Sequence, residues 1–482
     1  MRNNILLAGV FYTVFFISCK PDFINKKADK GDADFSVYVA MGSSESAGFA
    51  DFATYDSAQR YCYPAIIAKQ LEAVGRKGEF LQPWMPAGYG MGIDQFKNII
   101  PPYKLDYYTD CQGSSILMPV PSGKPYLQVS DISNILNTDL TAITSIIKNI
   151  YTSKGFHNMS ACGAKSYNYL DKKYGTLGTA LGDLQLIIGM LQNGIEQINP
   201  LFGRFCSDPG KSSVVDDALK MNGTFFTCWI GCNDVLGYAM EGVEGVGANI
   251  TDYGVFDQNL QEIVLRLCSH GAKGAIANIP LVNYLTYFNV IKYNDLTYNS
   301  YDQDKINYLN TIYRNINPDI IFHTGKNAYV VSDPNASGGV RQIKEGELIP
   351  LVLPLDSIKC SGWGTSKPIP EKYYLSQSEI NVITDATNHY NQTLYSLAQQ
   401  FNLAYVDIND FFNRSRSGLW VEGVKFTLDF VKGGVLSLDG IHPSPRGNAI
   451  IANEFIREIN RHYKSTIPLA RVMDYPQIRY PD

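Results

Sequence analysis

Four short stretches of this 482-residue chain contain the side chains that acyl transfer requires. Ser44 follows the first apolar run after the N-terminal segment, and Asp439 and His442 lie three residues apart near the C-terminal end. Between them come a loop glycine, Gly163, and an asparagine, Asn233. A hydroxyl, an imidazole beside a carboxylate, a glycine N–H and a carboxamide can supply a nucleophile, its base and the donors for an oxyanion. The residue types therefore indicate nucleophilic catalysis on an acyl group.

The candidate nucleophile lies in Val37–Phe49, where an apolar run meets the sequence Gly-Ser-Ser-Glu. Gly42 permits a sharp turn off a strand, after which Ser44 projects into a cleft with its own N–H free. The neighbouring Glu45 adds a carboxylate that can raise the pKa of His442 or shape the choice of substrate. The segment is not the Gly-x-Ser-x-Gly elbow of α/β-hydrolases, because residue 46 is serine.

The sharpest motif is Asp-Gly-Ile-His-Pro at residues 439–443. Asp439 can reach the near ring nitrogen of His442 within one loop, which fixes the tautomer and turns the other nitrogen toward Ser44. The competing interpretation is a helix-capping aspartate and a surface histidine before the last helix. No comparable motif with a partnered carboxylate surrounds the other histidines, which are His157, His270, His323, His389 and His462.

In content and order these stretches resemble the SGNH (GDSL-type) hydrolase family, whose four sequence blocks carry Ser, Gly, Asn and Asp-x-x-His. The resemblance implies a catalytic triad of Ser44, Asp439 and His442, and an oxyanion hole formed by Ser44, Gly163 and Asn233. Asp234 is expected to brace its loop through backbone N–H groups. The alternatives are an ordinary loop glycine at 163 and a plain Asn-Asp turn at 233. The chain departs from the family at Ser43 and Glu45, which stand where the family has Asp and Leu.

Strand and helix patterns alternate along the chain. The predicted strands are Phe35–Ala40, Thr224–Ile230, Lys273–Ile279 and Leu403–Ile408, and the predicted helices are Tyr63–Val74, Val255–His270, Ser376–Phe401 and Arg446–His462. This alternation predicts an α/β architecture with a parallel sheet, and the resemblance implies a flavodoxin-like three-layer sandwich. Ser44 and Asn233 follow strand ends, and Asp439 and His442 precede the last helix, which is where open α/β sheets bind ligands.

Many of the residues outside these predicted strands and helices lie in two regions, 77–156 and 289–372, which are rich in Pro, Gly, Tyr and Asn. We interpret both as large loop insertions in one hydrolase domain, residues 35–482, and expect them to wall or cover the cleft. A separate small domain in one of them is the alternative.

The N-terminus has the pattern of a lipoprotein signal. Arg2 precedes an apolar run, Ile5–Ile17, which has the length of a signal-peptide core rather than a membrane span. Cys19 resembles the acylated cysteine of bacterial lipoproteins, with residues 1–18 removed and residues 20–34 serving as a flexible, charged tether. The alternative is an ordinary signal peptide with an incidental cysteine. A lipid anchor predicts the cell envelope, and the outer membrane of a Gram-negative bacterium in particular.

The composition limits the binding partners and cofactors that are expected. A net charge of −5 and a pI near 5.8 give no reason to expect nucleic acid. Eight cysteines remain besides Cys19, and an exported chain allows them to form disulfides whose pairing the sequence does not reveal. None of the six histidines forms a ligand motif with a cysteine pair, so zinc is not expected. The resemblance to SGNH hydrolases implies no metal or organic cofactor.

These observations predict a membrane-anchored serine hydrolase, an esterase or lipase, that cleaves carboxylic esters through an acyl-Ser44 intermediate. Its substrate would be a lipid, a short-chain acyl ester or an acetylated glycan, as a small molecule or on a polymer. Three further stretches, Thr224–Ala239, Gly271–Pro280 and Gly433–Asn453, resemble the large SGNH-type lipoproteins of Bacteroidetes. The alternative is a non-catalytic surface lipoprotein that binds glycan or lipid with the same fold. Turnover of simple esters separates the two.

Overall fold

A parallel β-sheet forms the centre of the fold. The computed structural model describes residues 27–94, 98–128, 139–176, 199–241 and 249–481. The predicted signal segment 1–18, Cys19 and residues 20–26 of the predicted tether lie outside the described residues. The strands are β1 (Tyr38–Gly42), β2 (Phe49–Ala50), β3 (Ala53–Tyr55), β4 (Gly90–Ile93), β5 (Ile99–Ile100), β6 (Tyr103–Thr109), β7 (Ser115–Pro121), β8 (Phe225–Trp229), β9 (Lys273–Ala277), β10 (Leu296–Tyr298), β11 (Gly325–Asn327), β12 (Val330–Ser332), β13 (Val340–Gln342), β14 (Ala404–Val406), β15 (Leu419–Val421) and β16 (Val424–Phe426).

The helices are α1 (Ser44–Ala47), α2 (Asp56–Arg60), α3 (Tyr63–Leu71), α4 (Leu140–Ile147), α5 (Pro200–Gly203), α6 (Val214–Leu219), α7 (Asn233–Glu241), α8 (Tyr253–Cys268), α9 (Gln303–Tyr313), α10 (Leu355–Lys359), α11 (Gln377–Gln400), α12 (Ile408–Ser417) and α13 (Pro445–Tyr463). Within the described ranges, none of them combines the length and the apolar character that a membrane span requires.

The central sheet has the order β1-β8-β9-β14, and all of its strands are parallel. Every residue of β1 and β8 is buried, because both faces of the sheet are covered. Residues 157–161 extend the sheet beyond β1. The N–H of Ala40 donates to His157 O at 2.8 Å, and the N–H of Met159 donates to Ala40 O at 2.8 Å. Three neighbouring segments, 157–161, β1 and β8, therefore end at one edge of the sheet.

Two groups of helices pack on the sheet and make it the middle layer of an α/β sandwich. In the first group, α13 packs on α3, β9 and β14; in the second, α11 packs on α7, α8, β9 and β14. The predicted α/β class with a parallel sheet is confirmed. The first strand begins later than predicted, at Tyr38, and Phe35, which precedes it, packs its ring against Phe225 with a centroid distance of 4.7 Å.

The two predicted insertions are connected to each other. The hairpin β6–β7 from the first carries Cys111 near its tip, and this cysteine forms a disulfide with Cys360, which follows α10 in the second. Beside the disulfide, Lys359 Nζ lies 2.6 Å from Asp110, and Tyr108 donates its hydroxyl proton to Asp356 at 2.6 Å. The regions 77–156 and 289–372 are thus joined covalently at a distance of 249 residues along the chain.

Candidate active site

Ser44 lies directly after β1, as predicted, and begins the short helix α1. A side chain at Gly42 would clash with Ser46 Oγ and come within 2.9 Å of Trp229 O, so the tight exit from the strand requires glycine. The first N–H groups of a helix have no acceptor within the helix. In the part of the chain that the structure describes, the N–H of Ser44 has no hydrogen-bond partner. It is therefore free to donate to a bound group, and its role in an oxyanion hole stays a prediction.

His442 connects the nucleophile to a carboxylate. Its Nε2 lies 2.8 Å from Ser44 Oγ, and its Nδ1 lies 2.9 Å from Asp439 Oδ2. The other carboxylate oxygen, Oδ1, accepts the backbone N–H groups of Ile441 and His442 at 2.8 Å each. Ser44 and His442 are each 6% exposed and Asp439 is 1% exposed. The structure thus brings the three residues together across 398 residues of sequence, in the arrangement that a serine nucleophile requires.

Burial and mutual contacts shift the pKa values of His442 and Asp439. Burial alone would lower the pKa of His442, but the charge of Asp439 and its hydrogen bond outweigh burial and hold this pKa above its usual value of 6.5. Burial alone would raise the pKa of Asp439, but His442 and two backbone N–H groups lower it below its usual value. Asp439 therefore remains ionised at neutral pH and stabilises the imidazolium that forms when His442 takes a proton.

Ser43 and Glu45, the two departures from the family pattern, form a buried pair. The hydroxyl of Ser43 donates to Glu45 Oε2, and both residues lie within the protein interior. The carboxylate of Glu45 also faces His442 and contributes to raising the pKa of this histidine, as the sequence analysis anticipated. The family has an aspartate at the position of Ser43, and in this chain the carboxylate of the loop is that of Glu45 instead.

Gly163 and Asn233 reach the same edge of the sheet as Ser44, because they follow segments 157–161 and β8 on either side of β1. Gly163 has a φ of 75°, a left-handed conformation that favours glycine. The Asn233 amide donates one hydrogen bond, to Ala164 O at 3.1 Å, which ties it to the loop of Gly163. Asp234 accepts the N–H of Ser166 at 2.9 Å, so it braces the segment that follows Gly163 rather than its own loop. The oxyanion roles of Gly163 and Asn233 stay predictions.

Two side chains that were not predicted as part of the site, those of Phe49 and Asp51, also contact the catalytic loop. The ring of Phe49 packs on the His442 ring with a centroid distance of 4.6 Å. Asp51 accepts the N–H of Leu438 at 2.9 Å and the hydroxyl proton of Tyr55 at 2.5 Å. No local pattern marks Asp51, because its partner lies 387 residues away in the sequence.

A second pairing of histidine with carboxylate lies elsewhere, at His389 and Asp257, with Nε2 3.1 Å from Oδ2. Both side chains are more than a third exposed, and their contact links α11 to α8. Among the residues that the structure describes, no group of three or more His, Cys, Asp and Glu side chains is arranged to hold a metal ion.

The fold and this geometry define a hydrolase-type site on an α/β sheet, and comparison with known proteins agrees. The model of the GDSL-like lipase/acylhydrolase family matches residues 334–455, about a quarter of the chain. The matched range contains Asp439 and His442, whereas Ser44, Gly163 and Asn233 lie outside it. The predicted resemblance to GDSL-type hydrolases is confirmed, and it supports ester hydrolysis in general.

Two solved structures are similar to the chain at low identity. One is a protein described as a GDSL-like lipase from Parabacteroides merdae, with 9% identity over 89% of this chain and 97% of the other, and a TM-score of 0.29. The other is the acetyl xylan esterase AlAXEase, with 13% identity over 50% of this chain and 70% of the other, and a TM-score of 0.22. No protein of curated function matches the sequence.

Proposed function

We propose that the protein hydrolyses carboxylic esters through an acyl-Ser44 intermediate. The observation that supports this most directly is the continuous hydrogen-bonded chain from Ser44 Oγ through His442 to Asp439. A buried serine hydroxyl 2.8 Å from a histidine that a carboxylate orients can lose its proton as it attacks a carbonyl carbon.

In the first half of the reaction, Ser44 Oγ bonds to the carbonyl carbon of the ester while His442 Nε2 takes the hydroxyl proton. The carbon–oxygen bond to the alcohol then breaks, and His442 returns the proton to the departing alkoxide. In the second half, His442 takes a proton from water, the hydroxide attacks the acyl carbon, and Ser44 leaves with its proton restored. The products are an alcohol and a carboxylic acid.

The negative oxygen of each tetrahedral intermediate would lie where the N–H groups of Ser44 and Gly163 and the amide of Asn233 converge. Three observations support this position. The Ser44 N–H is free within the described residues, Gly163 has a left-handed backbone, and Asn233 is tied to the Gly163 loop through Ala164 O. Donors fixed before the reaction begins stabilise developing charge at little reorganisation cost.

Turnover of p-nitrophenyl esters with acyl chains from acetate to palmitate tests this proposal. We expect hydrolysis that is abolished in Ser44→Ala, which keeps the loop but lacks the nucleophile. Release of acetate from acetylated xylan would extend the substrate class to glycans, and a preference for long chains would indicate a lipase. The absence of turnover with every ester, at every pH from 5 to 9, would instead favour the glycan- or lipid-binding alternative.

We further propose that the protein resides in the cell envelope, anchored through an acylated Cys19. The Cys111–Cys360 disulfide supports an exported protein, since structural disulfides persist in oxidising compartments. The pattern Phe-Ile-Ser-Cys at residues 16–19 supports the acylated anchor.

Cys19→Ser should abolish acylation and leave the protein unprocessed or released from the membrane. Metabolic labelling with an alkyne fatty acid, followed by fractionation, measures both effects. Cys268→Ser is the matched control, because Cys268 is a free cysteine of the folded domain. A Cys19→Ser protein that is processed normally and stays in the membrane fraction would refute the anchor.

A further inference from the structure

The turn between β2 and β3 has an unusual backbone. Asp51 and Phe52 are adjacent, neither is glycine, and both have left-handed φ angles of 53° and 64°. This conformation costs side-chain-bearing residues about 1 kcal/mol each, less for Asp than for Phe. A pair of such residues persists when surrounding contacts hold it in place.

Those contacts lead to the loop that carries the catalytic aspartate. The N–H of Asp51 donates to Ser437 Oγ at 3.1 Å, and Asp51 Oδ1 accepts the N–H of Leu438 at 2.9 Å. The N–H of Phe52 lies 3.4 Å from Asp439 Oδ2, the oxygen that also faces His442. The turn thus contacts three consecutive residues of the loop, the last of which is Asp439.

The Asp51 carboxyl is itself held firmly. Its Oδ2 accepts the hydroxyl proton of Tyr55 at 2.5 Å, and its carbonyl oxygen accepts the N–H of Tyr103 at 2.8 Å. The residue therefore has partners in β3, β6 and the catalytic loop at once. A residue with fixed partners on both its side chain and its main chain can transmit its position to the loop.

The charge of Asp51 also acts on the triad. The titratable groups around it are Tyr55, Asp439 and His442, and those facing His442 are Asp439, Glu45 and Asp51. Burial raises the pKa of Asp51 to about 6, against the opposing hydrogen bonds from Tyr55 and Leu438. Above pH 6 Asp51 is therefore largely ionised, and its negative charge helps to raise the pKa of His442.

We propose that Asp51 is a positioning residue for the triad, which holds the Ser437–Asp439 loop through its carboxylate and places a further negative charge beside His442. This inference rests on the proposed function, because it assigns Asp51 a role in the reaction of Ser44. It predicts two separable effects, one from the charge and one from the hydrogen bond.

Two substitutions separate these effects while both tolerate the left-handed backbone. Asp51→Asn removes the charge but keeps an oxygen for the N–H of Leu438, whereas Asp51→Gly removes both. Glu262→Gln is the control for loss of a negative charge, because Glu262 is exposed on α8. Two quantities are measured in the full-length protein from pH 5 to pH 9: the rate at which a fluorophosphonate labels Ser44, and kcat.

We expect Asp51→Asn to move the acidic limb of the labelling profile to lower pH by roughly half a unit to one unit, with a plateau within about threefold of the parent. Asp51→Gly should show the same shift and a plateau lower by about tenfold, since the N–H of Leu438 loses its bond to the Asp51 carboxylate. Glu262→Gln should match the parent.

An unshifted limb in Asp51→Asn would overturn the role of the charge, whether or not Asp51→Gly folds. A folded Asp51→Gly protein, judged by its melting temperature, with the plateau of the parent would overturn the role of the hydrogen bond. A parent protein that is neither labelled nor active would point to the failure of the proposed function, which is a different result.

Discussion

Replacing either Ser44 or His442 by alanine is expected to lower kcat by about 10⁴-fold or more, and the double substitution should cost scarcely more than either single one. The reason is that Ser44 Oγ and His442 Nε2, 2.8 Å apart, act as one unit, so that removing either disables both. Activity of the parent should rise with pH as His442 loses its proton, since only the neutral imidazole can accept the proton of Ser44. Because the pKa of His442 is raised, the midpoint of this rise should lie above pH 6.5 in the free protein.

Steady-state kinetics with p-nitrophenyl acetate and mass spectrometry of the fluorophosphonate adduct measure these effects. The label should appear on Ser44 in the parent and be absent from Ser44→Ala. His389→Ala is the matched control for His442→Ala, since His389 also contacts a carboxylate but is more than a third exposed and lies outside the triad. A label on Ser43 or Ser46, or a His442→Ala variant with more than a tenth of parental activity, would show that another residue is the nucleophile or base.

Asn233→Ala is expected to lower kcat by about 100- to 1,000-fold with little change in KM, because the amide would bind the oxyanion chiefly in the transition state. The affinity for a boronic acid, which forms a tetrahedral adduct with serine, should fall in parallel. Since Asn233 also donates to Ala164 O, the melting temperature should be recorded for each variant.

Asp234→Asn provides the comparison, because this neighbouring carboxylate braces Ser166 and is not expected to contact the substrate. An Asn233→Ala protein with nearly parental kcat and a lower melting temperature would assign Asn233 a structural role. Equal losses of kcat and of thermal stability in both variants would point to the loop as a whole rather than to the amide.

Much of the framework could be predicted from the sequence, because its elements carry local signals. Strands β8 and β9 are buried apolar runs, and Pro443 and Pro445 mark the start of α13. The motifs place Ser44 after the first predicted strand and His442 before the last predicted helix. Local patterns do not show that these two residues meet, but the order of the four motifs does indicate it.

The features that the sequence did not reveal depend on contacts between distant residues. Cys111 and Cys360 are 249 residues apart, and eight cysteines allow many pairings. Asp51 contacts Leu438, which lies 387 residues away in the sequence. The sequence of its turn is like that of an ordinary exposed loop, so it does not reveal the left-handed backbone. Burial of the Ser43–Glu45 pair also depends on the folded surroundings, since a serine and a glutamate two residues apart are ordinary on a surface.

The direction of the parallel strands places Ser44 and the N-terminal entry of the chain at opposite edges of the sheet. The chain enters the sheet after residues 29–32, which hydrogen-bond to Tyr463, the last residue of α13, and to Thr466 beyond it. Ser44 emerges at the opposite edge, after the five residues of β1, a rise of roughly 16 Å. In the proposed lipid-anchored protein, the tether would therefore join the domain at the edge opposite Ser44, and the anchor would leave the Ser44 edge open to esters on polymers or soluble molecules.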